Sequence, residues 1–238
     1  MLNLLLKIRL SAFALGVLFC YTSYGQEENT NKLSALISCT NDFYGTDDYL
    51  VSGRSYQSSN PRASGHANFQ FADWEAGEVY VQGKLFEGAL LKYDIEKDVL
   101  VLKRTLKNGA PVQLILNRNM VDSFRIDGHL FVPNNQEKSG YLELIYQGGM
   151  GFYQKHKKKY TTDTSISSPY GKFIDENSRF YIFTGQQFHE ISSRNDLLSY
   201  FADHKKELKK FMRQNKIQLQ RAEWQQLYTL FKYVDGLL

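Results

Sequence analysis

The chain has 238 residues, 42% hydrophobic and 14% aromatic, with 29 Lys and Arg against 25 Asp and Glu for a formal net charge of +4. That length supports a substantial core without covalent staples, and two cysteines cannot build the disulfide framework of a small secreted domain. The charge is too small to imply a nucleic-acid partner, and four prolines exclude a Pro-rich stalk.

Lys7 and Arg9 form a short basic region, Leu10 to Tyr21 an apolar run, and Ser23 and Gly25 supply the small residues of a cleavage site. The run is short for a bilayer span, and Gln26-Glu27-Glu28-Asn29 lacks a basic stop-transfer flank. The pattern predicts a cleaved secretory signal over 1–25 and a periplasmic or secreted product without a transmembrane helix. Its loss removes two basic residues and no acid, leaving 27 against 25, a net +2. Cys20 sits where a lipoprotein cysteine would, but Phe19 occupies a position where the maturing peptidase requires a small residue, so lipidation is not expected. Cys39 is then the sole thiol, most simply a small buried residue. The absence of any Asn-x-Ser/Thr sequon favours a prokaryotic source.

Residues 26–68 are polar and rich in Ser, Asn, Asp and Gly apart from Leu33 to Ile37, which predicts a wrap over a surface. From 69 to 191 short runs of Val, Ile, Leu, Tyr and Phe alternate with turn residues at hairpin spacing, the texture of an antiparallel β meander. Ala89 to Ile95 puts Leu91, Tyr93 and Ile95 on one face and Lys92 and Asp94 on the other. After a Glu96-Lys97 turn, Asp98 to Lys103 returns, and Asn108-Gly109 marks a tight hairpin before Val112 to Leu116. Further strands are predicted at Met120–Ile126, His129–Val132, Tyr141–Gln147, Phe152–Lys158, Arg179–Phe183 and Gln187–Ile191. Val99 to Leu102 and Phe180 to Phe183 are apolar on both faces, so the sheet must curl or be covered. Residues 192–238 offer the cover. Ser193 and Asp196 form a capping box ahead of a stripe of Leu197, Phe201, His204, Leu208 and Phe211 on a helix ending near Asn215. Lys205, Lys206, Lys209 and Lys210 lie off that stripe as a solvated face. A second helix, from about Arg221 to Asp235, carries Trp224, Leu227, Tyr228, Phe231 and Val234.

The expected fold is therefore α+β and mainly β, a curved antiparallel sheet or partly closed barrel with two C-terminal helices packed on it. Gly53 with Tyr56, Gly65-His66, Gly77-Glu78-Val79-Tyr80, Phe86-Glu87-Gly88, Tyr93-Asp94-Ile95 with Asp98-Val99-Leu100, and Phe124 with Gly128-His129-Leu130-Phe131 follow in an order that resembles a family of exported, β-rich proteins of Bacteroidota-type bacteria with no assigned activity. The resemblance covers about residues 50 to 235 and departs at Gly65-His66-Ala67-Asn68, where that family tends to continue with Pro and an aromatic residue. It implies export and a β-rich fold and transfers no site.

Residues of catalytic type form no recognisable motif. The five histidines are not at ligand spacing, and His189-Glu190 lacks a second His one helical turn on, so no metal or other cofactor is expected. There is no Gly-x-Ser-x-Gly elbow, and Gly148-Gly149-Met150-Gly151 lacks the spacing of a phosphate loop. Asp94 and Asp98 flank a short turn and cap it more simply than they form a glycosidase-like pair. His66 and His129 each follow Gly, where a turn can present the imidazole to solvent. Lys155, Lys157, Lys158 and Lys159, with His156 among them, form a basic run whose alternation keeps the lysines from all entering a core, suited to an anionic surface or to guarding a strand edge. The expectation is a non-catalytic binding or scaffold protein of the bacterial envelope, its partner an envelope protein, glycan or lipid. Two alternatives stand beside it: a periplasmic carrier of an apolar ligand, and a hydrolase in which several of His66, His129, Asp94 and Glu190 converge.

Overall fold

A computed structural model describes residues 54–106, 108–134, 140–163 and 165–238. The leader, Cys20, Cys39 and the first part of the polar wrap lie outside the described residues. Among the described residues thirteen strands run β1 (Arg54–Ser55), β2 (Glu75–Val81), β3 (Lys84–Asp94), β4 (Val99–Thr105), β5 (Pro111–Ile115), β6 (Val121–Ile126), β7 (His129–Pro133), β8 (Tyr141–Gln147), β9 (Gly151–Lys155), β10 (Lys158–Thr161), β11 (Lys172–Asp175), β12 (Arg179–Phe183) and β13 (Phe188–Ile191). Eleven form one antiparallel sheet in the order β1-β5-β4-β3-β2-β6-β7-β8-β9-β12-β13, and β10 pairs with β11 in a separate ribbon.

The predicted single meander is in fact two. β2 to β5 form one and β6 onward the other, joined where β6 pairs with β2 rather than β5. The strand β2, central in the sheet, is hidden by the hydrophobic texture, as are the short β1 and β11: Glu75, Gly77 and Glu78 interrupt β2, although Val79 and Val81 are fully buried. A Cβ at Gly77 would collide with the Arg125 carbonyl oxygen of β6, so the strand pairing there needs glycine. Residues 82-83 and 127-128 make two-residue turns with positive φ at both positions (Gln82, Gly83; Asp127, Gly128), the geometry that matches strand twist.

The sheet curls without closing. On a flat sheet, at about 4.8 Å per strand, β5 and β6 would lie roughly 19 Å apart. Only five residues join them, with an Asn117 turn in the middle. The curl explains how both fit. It brings Tyr93 of β3 edge-on to Phe131 of β7 and Tyr141 of β8, with centroids 5.1 and 5.7 Å apart, while Phe124 and Phe131 stack at 4.8 Å. These rings, with Val79, Leu91, Leu100 and Ile126, fill the inside of the curl.

The other half of the sheet packs on both faces. Phe152, Phe180 and Ile182 point to the helices, whereas Tyr153 and Tyr181 point away and meet Phe188. Three C-terminal α-helices cover the first face: α1 (Arg194–Tyr200), α2 (Lys205–Gln214) and α3 (Trp224–Asp235). The predicted first helix is thus broken. Ser193 caps α1 as expected, its hydroxyl accepting from the Asp196 N–H, but Phe201 leaves helical geometry and a 3-10 turn, Ala202–His204, precedes α2. The break lets Leu197, Leu198 and Phe201 enter the core from one direction and Leu208 and Met212 from another. α3 begins with a capping box between Glu223 and Gln226 and stacks Phe231 on Phe152 at 4.6 Å. No helix among the described residues is long and apolar enough to cross a membrane.

Candidate functional site

The polar groups inside the fold are tied up by one another. Asp94 accepts from the N–H groups of Glu96 and Lys97 at 3.0 and 2.9 Å and from the Tyr56 hydroxyl at 2.8 Å. Burial, followed by that bond, drives the Tyr56 hydroxyl well above its ordinary range. Asp98, held in left-handed backbone geometry, accepts from Tyr93 at 2.5 Å and pairs with Lys155. The two aspartates therefore cap the turn and pin it to β8 and β9, each facing its own partners.

Glu143 on β8 is 1% exposed and is clasped by two histidines, its Oε1 by His129 Nδ1 of β7 and its Oε2 by His156 Nε2 at 2.5 Å. Phe69 lies edge-on to both imidazoles, with centroids 5.3 and 4.8 Å away. Burial by itself would raise the Glu143 carboxyl, but the two histidine hydrogen bonds outweigh it and hold the group below its ordinary value. The same Glu143 bond lifts His129 above its own, against burial. Because the two nitrogens engage opposite carboxylate oxygens, the three groups form a hydrogen-bonded clasp rather than a set of donors converging on one point.

The turn histidines and the basic run are consequently less exposed than their sequence context suggests. His129 is half-buried in the clasp, and His66 is half-buried with its ring held below its ordinary value by burial and then by Lys158. Lys155 and Lys158 turn inward at 11% and 13% exposure, Lys158 donating to the Asn68 carbonyl at 2.9 Å. Lys157 and Lys159 face out at 56% and 55%, and both reach Glu176. The Lys157 bond first, with lesser help from Lys159, holds that carboxyl below its ordinary value. Lys155, His156 and Lys157 do share a cleft of about 300 Å³ with Lys97, Asp98 and Arg179. No hydrogen bond or ion pair links any two of His66, His129, Asp94 and Glu190; Glu190 sits on the edge strand β13 with Ser192 and Arg179.

A recess of about 970 Å³ lies elsewhere, against α2. Lys206, Lys209, Lys210 and Arg213 line one side of it, at i, i+3, i+4 and i+7, so they form one helical face. Lys216 and Arg221 extend the row past the helix end, and Arg194 flanks it from α1. Its floor holds the buried Met212, Ile217 and Leu219. The wall is fixed: the Gln220 amide donates to the Ser192 carbonyl at 2.8 Å, and Lys216 turns the chain with φ 52°. Among the described residues no carboxylate lines the groove and none of its seven cations makes an ion pair. Residues 192–238 carry nine Lys and Arg against five Asp and Glu, a net +4 equal to that of the whole chain. The sequence signal is the basic spacing alone: Asp203 and Glu207 stand three residues before Lys206 and Lys210, yet neither is ion-paired to them among the described residues, and a reading of α2 as a solvated face passes over the result.

No family model, curated protein or solved structure matches the chain.

Proposed function

We propose that this is an exported, non-catalytic binding or scaffold protein of a bacterial envelope that engages an anionic partner through the groove on α2. The observation that carries this reading is the groove itself: seven cations around one recess, unpaired among the described residues, on an otherwise charge-balanced chain. Like charges held together repel, and the repulsion is relieved when an anion arrives. The remainder of the fold suits a platform, since its buried carboxylates Asp94 and Glu143 lock turns and strands in place. Export rests on the leader-like residues 1–25. An apolar carrier would need space inside the curl, which Tyr93, Phe124, Phe131 and Tyr141 occupy.

The test is retention of the full chain on immobilised heparin, polyphosphate and polyglutamate, with polylysine as control. Binding to the polyanions, lost in the triple variant Lys206→Glu, Lys209→Glu, Arg213→Glu, supports the reading. Equal retention of the variant removes it.

A further inference from the structure

We infer that the ligand of the α2 groove is a linear acidic polysaccharide lying along the helix; the inference rests on the reading of the groove as an anion site and names its ligand class. The cations are arranged as a row rather than a nest. Lys206, Lys209, Lys210 and Arg213 climb one face of a helix about 15 Å long at 1.5 Å per residue, and Lys216 and Arg221 continue beyond it. A row matches a chain that carries a charge at every sugar or two, whereas a single phosphate or carboxylate calls for donors converging on one point.

The lining separates the polymer classes. The floor is aliphatic, from Met212, Ile217 and Leu219, and suits the apolar faces of pyranose rings, while the exposed Gln218 amide beside it can both donate to and accept from hydroxyl groups. No Phe, Tyr or Trp lines the recess, so it lacks the stacking platform that holds single-stranded nucleic acid. A duplex is met by a protruding element, and here the cations border a hollow. The large apolar side chains exposed among the described residues, Trp224 and Ile166 for example, lie outside the groove, so it offers nothing to insert into a bilayer.

The experiment measures binding of the full chain to fluorescent heparin and polygalacturonate oligosaccharides of increasing length, beside vesicles of phosphatidylglycerol and phosphatidylcholine in equal parts, polyphosphate and a short DNA duplex. The expected result is affinity that rises with oligosaccharide length until the groove is filled, exceeds that for the other probes, and falls about tenfold or more in the triple variant. An unchanged thermal midpoint establishes that the variant is folded, and Lys157→Glu with Lys159→Glu serves as the control that leaves binding intact. Preference for vesicles, polyphosphate or duplex, lost in the triple variant, overturns the polysaccharide inference while leaving an anion site standing. Binding to none of the probes overturns both, as does glycan binding that the triple variant retains.

Discussion

His156 Nε2 lies 2.5 Å from Glu143 Oε2, so the segment leaving β9 is pinned to a buried carboxylate of β8 whose other oxygen is held by His129 of β7. Two neighbouring strands and the segment after a third thus share one charge.

This clasp gives stability a defined pH window. His129 is raised by its partner, so its contribution is complete below the ordinary histidine value of 6.5 and disappears as pH climbs through the higher folded value. Glu143 is lowered, so its contribution is complete above the ordinary 4.5 and disappears as pH drops through the lower folded value. Urea unfolding of the wild type minus that of Glu143→Gln should therefore show its largest difference between these two ordinary values and shrink on either side. At the plateau the substitution should cost about 3 kcal/mol, the scale of a broken buried pair. A difference flat from acid to alkaline pH would contradict the clasp.

Asp235, in the last turn of α3, accepts from the N–H groups of Gly149 and Met150 at 3.2 and 3.1 Å and from the Tyr146 hydroxyl at 3.2 Å. It fastens the helix to the β8–β9 turn, and a Cβ at Gly148 would collide with it. Asp235→Ala and Gly148→Ala should each lower stability by about 1–3 kcal/mol, with the double variant well short of the sum because both disrupt one contact. Chemical denaturation of the four proteins measures this directly, and full additivity would show that the two positions act separately.

Phe231 is stacked on Phe152 and buried under the helices. Phe231→Ala should cost about 3–5 kcal/mol by denaturant titration. The exposed Lys157 and Lys159 offer a contrast: replacing either with Ala should change stability by less than about 1 kcal/mol, although both reach Glu176.

Strands β3 to β9, β12 and β13 were readable because period-two alternation and turn chemistry agree, as in Leu91, Tyr93 and Ile95 before the Glu96-Lys97 turn, whereas the β10–β11 ribbon was not expected and the strand expected over Phe152–Lys158 stops at Lys155. β2 escaped because Gly77, required by the close approach of β6, removes a side chain from the pattern. The reversal at residues 116–120 depends on the curl of the whole sheet, which no local window contains. The clasp was hidden for a similar reason: His129, Glu143 and His156 have no sequence spacing in common and meet only through strand pairing. The groove was half-legible, since the lysine face of α2 is plain in the sequence while Lys216, Arg221 and Arg194 join it only through the turns after α2 and between α1 and α2.

The most direct test of the anion-binding groove is the salt dependence of heparin binding by the full chain. If the row of cations displaces counterions, log affinity falls linearly with log salt, by roughly 0.7 for each charge neutralised, and Lys209→Gln with Arg213→Gln makes the slope shallower by about two charges' worth. An affinity indifferent to salt, or a slope that the double substitution leaves unchanged, would contradict the account.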